Sequence, residues 1–180
     1  MKYCNQCGKT VALSVPRGDN RPRYICMSCG AIHYQNPRIV AGCVPEHECR
    51  ILLCKRAIEP RYGFWTVPAG FMELDETLPA AAARETWEEA RARVEIGAMI
   101  ASVDVLQARQ VHIFFAATLT NPEFGAGTET LEAVLCDPDE IPWQDLAFPS
   151  VRIALEQYLR NRRSGRDDLL VCEAPRRKIR

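Results

Sequence analysis

Glu85, Glu88 and Glu89 carry the most chemistry per residue in this 180-residue chain. On a helix, at about 100° per residue, their side chains fall within an arc of about 100°, with Ala80, Ala83, Trp87 and Ala90 opposite. Like charges so placed disfavour a helix by roughly 0.2–0.5 kcal/mol per pair, so the stripe needs a cation or open water. Carboxylate oxygens suit hard divalent cations such as Mg²⁺ or Mn²⁺. Arg84 can pair with Glu88 but cannot neutralise all three. The whole stretch is Gly70-x5-Glu76-x7-Arg84-Glu85-x2-Glu88-Glu89, which opens on a glycine turn.

A second set of metal-ligand types lies at the N-terminus. Cys4-x2-Cys7 and Cys26-x2-Cys29 have the spacing of a four-cysteine zinc site, and each pair is followed by glycine, Gly8 or Gly30. Glycine admits the positive φ of a tight knuckle, in which two thiolates converge. Four thiolates close a tetrahedral shell, so Zn²⁺ here is expected to be structural. Cys43, Cys54 and Cys136 sit in apolar runs and are expected to be small buried hydrophobes. Glu46-His47-Glu48-Cys49 falls between two strand patterns and is expected to be a polar hairpin turn. His33 and His112 have no partner at ligand spacing.

Composition bounds the setting of these residues. With 47% hydrophobic and 26% charged residues, the chain suits one medium domain plus a small appendage. Net charge is zero, but Lys2, Lys9, Arg17, Arg21, Arg23 and Arg38 face Asp19 alone, an N-terminal excess of five. Such a patch could contact phosphates, yet few aromatics accompany it, and a solvated loop explains it better than nucleic-acid binding. No apolar run of membrane-spanning length and no apolar leader occurs, and the odd count of nine cysteines fits a reducing compartment. A cytoplasmic protein without a membrane partner is the expectation.

The elements that must position the glutamates follow from periodicity. Residues 39–44 and 50–56 form a predicted hairpin, and 64–67 a short strand running into the Pro68-Ala69-Gly70 turn. The acidic helix is expected over about 77–91, with Asp75 or Thr77 as cap and Pro79 in the first turn. Strands are expected at 99–107, 111–119 and 131–136, a loop at 121–128, and an amphipathic helix at 150–162. Beyond Ser164 the charged residues are expected to form a solvated tail. The expected division is 1–35, 36–163 and the tail 164–180.

The stretch from Gly70 to Glu89 resembles the Nudix box of the Nudix hydrolases. With each residue type at roughly 5–7% usage, six identities in register coincide by chance on the order of once in 10⁷ to 10⁸. The resemblance implies an α/β/α sandwich around a mixed sheet, preceded here by a small zinc ribbon. It implies hydrolysis of a nucleoside diphosphate linked to another moiety, with Mg²⁺ or Mn²⁺ held by Glu85, Glu88 and Glu89 and with Arg84 orienting them. A backbone carbonyl of Ala69 or Gly70 is a further expected ligand, and Glu129, or else Glu132, the general base. Where the box usually carries glycine, this chain has Arg91, so no easy left-handed helix end is expected there.

A zinc ribbon before a Nudix domain is similar to bacterial NADH pyrophosphatases, but their Ser-Gln-Pro-Trp-Pro-Phe-Pro-like motif does not occur between Gly97 and Asn121. The runs Ile32–Pro37, Trp65–Gly70 and Arg84–Ala90 are closer to plant plastid enzymes that hydrolyse FAD and ADP-ribose. That similarity implies a homodimeric FAD or ADP-ribose pyrophosphatase releasing AMP, with Phe71 as an adenine platform and Glu73 beside it. NADH or capped RNA as substrate, or a binding protein with a vestigial Nudix fold, is the alternative.

Overall fold

The structure is a computed structural model that describes residues 1–175. Its contacts divide the chain into two units between Asn36 and Pro37. The N-terminal unit is a three-stranded antiparallel sheet in the order β1 (Val11–Ser14), β2 (Arg23–Cys26), β3 (Ile32–His33).

The second unit is built on β4 (Arg38–His47), β5 (Arg50–Arg56), β6 (Trp65–Thr66), β7 (Ala69–Phe71), β8 (Val94–Val105), β9 (Gln110–Leu119), β10 (Thr130–Cys136) and β11 (Leu170–Glu173). Two helices join them, α1 (Leu78–Ala90) and α2 (Pro149–Ser164). The sheet runs β10-β5-β4-β9-β8-β11, with β6 added to β5 and β7 to β4. Pairs β4/β9 and β8/β11 are parallel and the others antiparallel, so the sheet is mixed. Both faces are covered, which requires apolar residues at odd and even strand positions alike. Val44, Ile51, Leu53 and Phe114 pack with Val151, Ala154 and Leu155 of α2, while Ala41, Cys43, Ile113 and Phe115 pack with Ala81 and Ala82 of α1.

Several expectations are met in detail. Of the turn expected at 46–49, Glu48 and Cys49 make the β4–β5 turn, both at positive φ (46° and 71°), the geometry that matches strand twist in a tight hairpin, while Glu46 and His47 belong to β4 and pair with Ile51 and Arg50. Cys43 and Cys54 are buried, whereas Cys136 is only partly so.

Other expectations are corrected. The chain beyond Ser164 is not simply a solvated tail. Residues 170–173 pair in parallel with Ala101–Asp104 of β8, where Leu170, Val171 and Cys172 supply an apolar, β-favouring run too short to register as a strand alone. The expected tail residues 176–180 lie outside the described ones. Strand β8 begins at Val94, five residues before the expected start, with register shifts on either side of Met99 that blur its alternation. Helix α1 does end at Arg91, in the left-handed region at φ 50°, where its N–H donates to the Trp87 carbonyl. A non-glycine residue there costs about 1–2 kcal/mol.

Candidate active site

Helix α1 is set by its ends. The Thr77 hydroxyl accepts from the Ala80 N–H at 3.3 Å, and Pro79 occupies the first turn without losing a bond. At the other end the segment 121–128 folds over the helix terminus. Gly125 and Gly127 donate their N–H groups to the Ala90 and Glu89 carbonyls at 2.7 and 2.9 Å, serving acceptors a helix end leaves unpaired. A Cβ on Gly127 would lie 1.8 Å from the Glu88 carbonyl oxygen, so this approach requires glycine.

The face of α1 pressed onto the sheet is not the one opposite the glutamates. Ala81, Ala82, Glu85, Thr86, Glu89 and Ala90 are buried, whereas Ala80 and Trp87 are exposed. Glu89 therefore sits in the middle of the buried stripe, Glu85 at its side and Glu88 at its solvent edge. The small alanines allow α1 to approach the sheet closely enough for two carboxylates to enter the interface.

The backbone of β7 receives them. Ala69 donates its N–H to Glu89 Oε2 at 3.1 Å. A Cβ on Gly70 would stand 2.3 Å from the Glu85 carboxyl carbon, so the box glycine makes room for that carboxylate. The contact shown by this segment is thus an N–H to a carboxylate.

Arg84 ties the loop to the helix. Its Nε and Nη2 form a two-pronged pair with Glu76 at 3.1 and 2.8 Å, and Nη2 also reaches the Phe71 carbonyl at 3.0 Å. Nη1 donates to Glu85 Oε1 at 2.8 Å and Glu88 Oε2 at 3.1 Å. The Arg84 guanidinium, joined by the Glu73 N–H, holds the Glu76 carboxyl below its usual range. Burial pushes Glu89 up to about 8; the Ala69 N–H and Arg56 oppose this, while Glu85 and Glu129 add to it. Burial also raises Glu85.

Glu129 lies exposed at the start of β10, and its charge acts on both Glu85 and Glu89. Its carbonyl accepts from the Ala57 N–H at 2.8 Å. Glu132 stands opposite Lys55 in the β5–β10 ladder and is not among the groups acting on the box glutamates. Phe71 is exposed, with the Arg38 guanidinium 4.4 Å over its ring. Glu73 is exposed, and its N–H caps Glu76 at 2.7 Å. Arg56 escaped the sequence reading. The only clue was alternation along β5, which turns residue 56 to the same side as Cys54.

Hard carboxylates around a buried acid raised by desolvation form a donor set that a divalent cation fits, because the cation favours the ionised form. The carboxylates nevertheless stand further apart than the thiols. Among the described residues, Cys4, Cys7, Cys26 and Cys29 are the one group of three or more whose ligand atoms all lie within 4.8 Å of one another. Cys4 and Cys29 Sγ are 3.7 Å apart and Cys7 and Cys26 Sγ 3.4 Å. Tetrahedral zinc with Zn–S of about 2.3 Å sets its sulfurs about 3.8 Å apart, so the thiols fit.

The two knuckles repeat one hydrogen-bond pattern. Cys4 and Cys26 donate N–H to Lys9 and Ala31, and accept at their carbonyls from Gly8 and Gly30, whose φ values are 72° and 75°. The Cys29 N–H aimed at its sulfur brings Cys26 down to about 6.

Comparison with known proteins agrees with this architecture. Residues 2–35 match the zinc-ribbon Nudix N-terminal family and residues 36–157 the NUDIX domain family. A solved Nudix hydrolase from Nitrosomonas europaea superposes with a TM-score of 0.93 at 48% identity, covering 96% of this chain and 98% of that one. An ADP-ribose pyrophosphatase from Streptococcus suis shares the fold at 22% identity, with a TM-score of 0.61 over 77% of this chain and 99% of that one. The NAD-capped RNA hydrolase NudC of Chromobacterium violaceum is 37% identical over 52% of this chain and 34% of its own length. The phosphatase NudJ of Escherichia coli K12 is 43% identical over 29% of this chain and 34% of its own. These matches span about a third of the curated relatives. By the NUDIX domain match over most of its length and the full-length likeness to the Nitrosomonas enzyme, the chain belongs to the Nudix hydrolases, enzymes that act on pyrophosphate bonds.

Proposed function

We propose that this protein hydrolyses the pyrophosphate bond of FAD or ADP-ribose, releasing AMP, with Mg²⁺ or Mn²⁺ at Glu85, Glu88 and Glu89 and structural Zn²⁺ at the four cysteines. The observation that carries the reading is the carboxylate cluster buried against the backbone of Ala69 and Gly70. A bound divalent cation neutralises an anionic pyrophosphate and lowers the pKa of a coordinated water. The protein's own part is positional. Arg84 holds Glu85 and Glu88 in place and, through the Phe71 carbonyl, ties the backbone at the end of β7 to them. Glu129, within electrostatic reach of Glu85 and Glu89, is the candidate general base that takes the proton of the attacking water. The water oxygen bonds to one phosphorus and the bridging P–O bond breaks. AMP leaves with FMN from FAD, or with ribose 5-phosphate from ADP-ribose. The exposed Phe71 face offers a stacking surface for adenine, with Glu73 nearby.

A second reading, NAD or an NAD-capped RNA as substrate, is favoured by the likeness to NudC over half of the chain. A screen of FAD, ADP-ribose, NADH, NAD-capped RNA and nucleoside triphosphates with Mg²⁺ and Mn²⁺ separates the readings. AMP from FAD or ADP-ribose at the highest kcat/KM is expected. Preference for NADH or capped RNA supports the second reading, and triphosphate hydrolysis alone rejects both. We place the enzyme in the cytoplasm as a homodimer; no helix among the described residues is long and apolar enough to cross a membrane.

A further inference from the structure

Trp87 is the one aromatic ring among the described residues that two guanidinium groups meet. Arg93 lies 4.9 Å and Arg91 5.8 Å from its centre. The ring stands on α1 one position before Glu88, and 42% of the residue is exposed. Ala92, between the two arginines, is buried in the cluster that holds Leu52 and Ala90, so residues 91 and 93 on either side of it are turned outward.

Neither packing nor capping accounts for this arrangement. One arginine laid along a ring covers apolar surface and keeps its charge in water. A second beside the same ring adds repulsion. Neither guanidinium has a hydrogen-bond or ion-pair partner among the described residues, and the neighbouring Glu88 is held by Arg84. The Ala90 and Glu89 carbonyls at the helix end are already served by the Gly125 and Gly127 N–H groups. Arg91 also sits at φ 50°, a conformation that glycine adopts without strain. Strain of this kind persists where the surroundings impose it, and it clusters at ligand sites.

The main chain fixes where the three side chains start. Arg91 donates its N–H to the Trp87 carbonyl at 3.0 Å, and the Arg93 carbonyl accepts from the Thr120 N–H at 2.9 Å and its hydroxyl at 3.3 Å. An exposed indole beside two unneutralised arginines suits a ligand that alternates flat rings with negative charge. A nucleobase stacks on an aromatic face whatever its sequence identity. Guanidinium groups match phosphate oxygens in pairs. Two of them at one ring fit a base with a phosphate on each side, as in a strand, whereas a mononucleotide offers a phosphate on one side alone. An acidic peptide supplies the charge but not the ring.

We infer that Trp87, Arg91 and Arg93 form a binding site for single-stranded nucleic acid, with a base on the indole and its flanking phosphates on the two guanidinium groups. The site shares α1 with the carboxylates but uses none of them. It does not depend on which pyrophosphate the enzyme cleaves.

The test uses the full-length protein and a fluorescently labelled oligoadenylate about ten nucleotides long that carries no pyrophosphate. Anisotropy is titrated at several salt concentrations for wild type, W87A, R91G and R93Q, alongside melting temperature. Wild type is expected to bind the strand and to lose affinity steeply with salt. W87A is expected to bind about tenfold more weakly, and R91G and R93Q each to lower the salt slope by about one. R91G also relieves the strained backbone, so it is expected to melt higher while binding less, a combination that a merely structural role for Arg91 does not give. AMP at the concentration of the strand is expected to leave it bound. No binding by the wild type at low salt overturns the inference, and so does wild-type affinity in R91G and R93Q. Should W87A melt early, those two variants decide the outcome. Displacement by equimolar AMP overturns it as well, since a single nucleotide then suffices.

Discussion

The cysteine quartet and the glutamate helix are both built for a cation, yet the molecule assembles them in opposite ways. The thiols already converge, with Sγ pairs 3.4 and 3.7 Å apart, whereas Arg84 inserts between Glu85 and Glu88. Charge explains the difference. The Cys7 and Cys29 thiols, pushed up beside Cys26, approach it at little electrostatic cost, whereas two carboxylates about 4 Å apart repel by roughly 4 kcal/mol at an effective dielectric of 20. Scale differs as well. Each knuckle closes on itself through hydrogen bonds between residues five apart or fewer. The carboxylate site draws on β7, α1, the segment 121–129 and the end of β5. A local site can be nearly complete on its own, and a site gathered from distant segments stays electrostatically open until its ligand arrives.

The sharpest way to break this comparison is to remove one ligand from each cluster. Cys26→Ser is expected to abolish zinc retention and unfold the N-terminal unit, because structural zinc supplies on the order of 10 kcal/mol of folding free energy in small ribbons. Metal analysis and hydrogen exchange over residues 1–36 read this out; an N-terminal unit still protected without zinc defeats it. Glu89→Gln is expected to do the reverse, lowering kcat by at least 10²–10³-fold while leaving the fold intact. Circular dichroism beside steady-state kinetics checks both halves.

The same substitution sharpens the electrostatic half. Burial raises Glu89 from an ordinary 4.5 to about 8, so in metal-free protein the folded state binds a proton that the unfolded state has lost. That contribution is fully present below pH 4.5 and disappears as pH rises through about 8, at a cost of at most a few kcal/mol. Metal-free wild type is therefore expected to melt at lower temperature as pH rises over this window, and Glu89→Gln to flatten the trend. Parallel melting curves for both proteins across pH rule this out.

Smaller effects test the scaffold. Gly70→Ala places a methyl 2.3 Å from the Glu85 carboxyl, and a displaced ligand is expected to lower kcat/KM about tenfold or more with little change in far-UV dichroism. Thr77→Ala removes the cap of α1 and is expected to cost about 1 kcal/mol, measurable by urea titration with activity retained below the transition.

Local spacing made the two knuckles, their glycines and the start of the box helix legible before any coordinates. Thr77 and Pro79 mark a helix start by themselves. Glu76 and Arg84 are eight apart, and the sequence offered no reason why they should pair two-pronged across the turn. Helical periodicity did not say which face of α1 meets the sheet. Of the residues placed opposite the glutamates, Ala80 and Trp87 are exposed and Ala90 is buried, while Ala81 and Ala82, on the glutamate side, pack onto the sheet. The segment 170–173 gave no signal because its strand depends on the partner β8 supplies. Arg56 gave little beyond its place in the alternation of β5, because its charge bears on Glu89 only when β5 and α1 pack together.

By itself, then, the order of residues determined which donors are present and in what short-range register: four thiols on two knuckles, and glutamates three and four apart on one helix. Those relations span a few residues and follow from fixed bond geometry. The tertiary structure decided which glutamate is buried, what its carboxylate meets and which arginine lies within its electrostatic reach. Burial and charge depend on segments far apart in the chain, and no local pattern encodes how these come together.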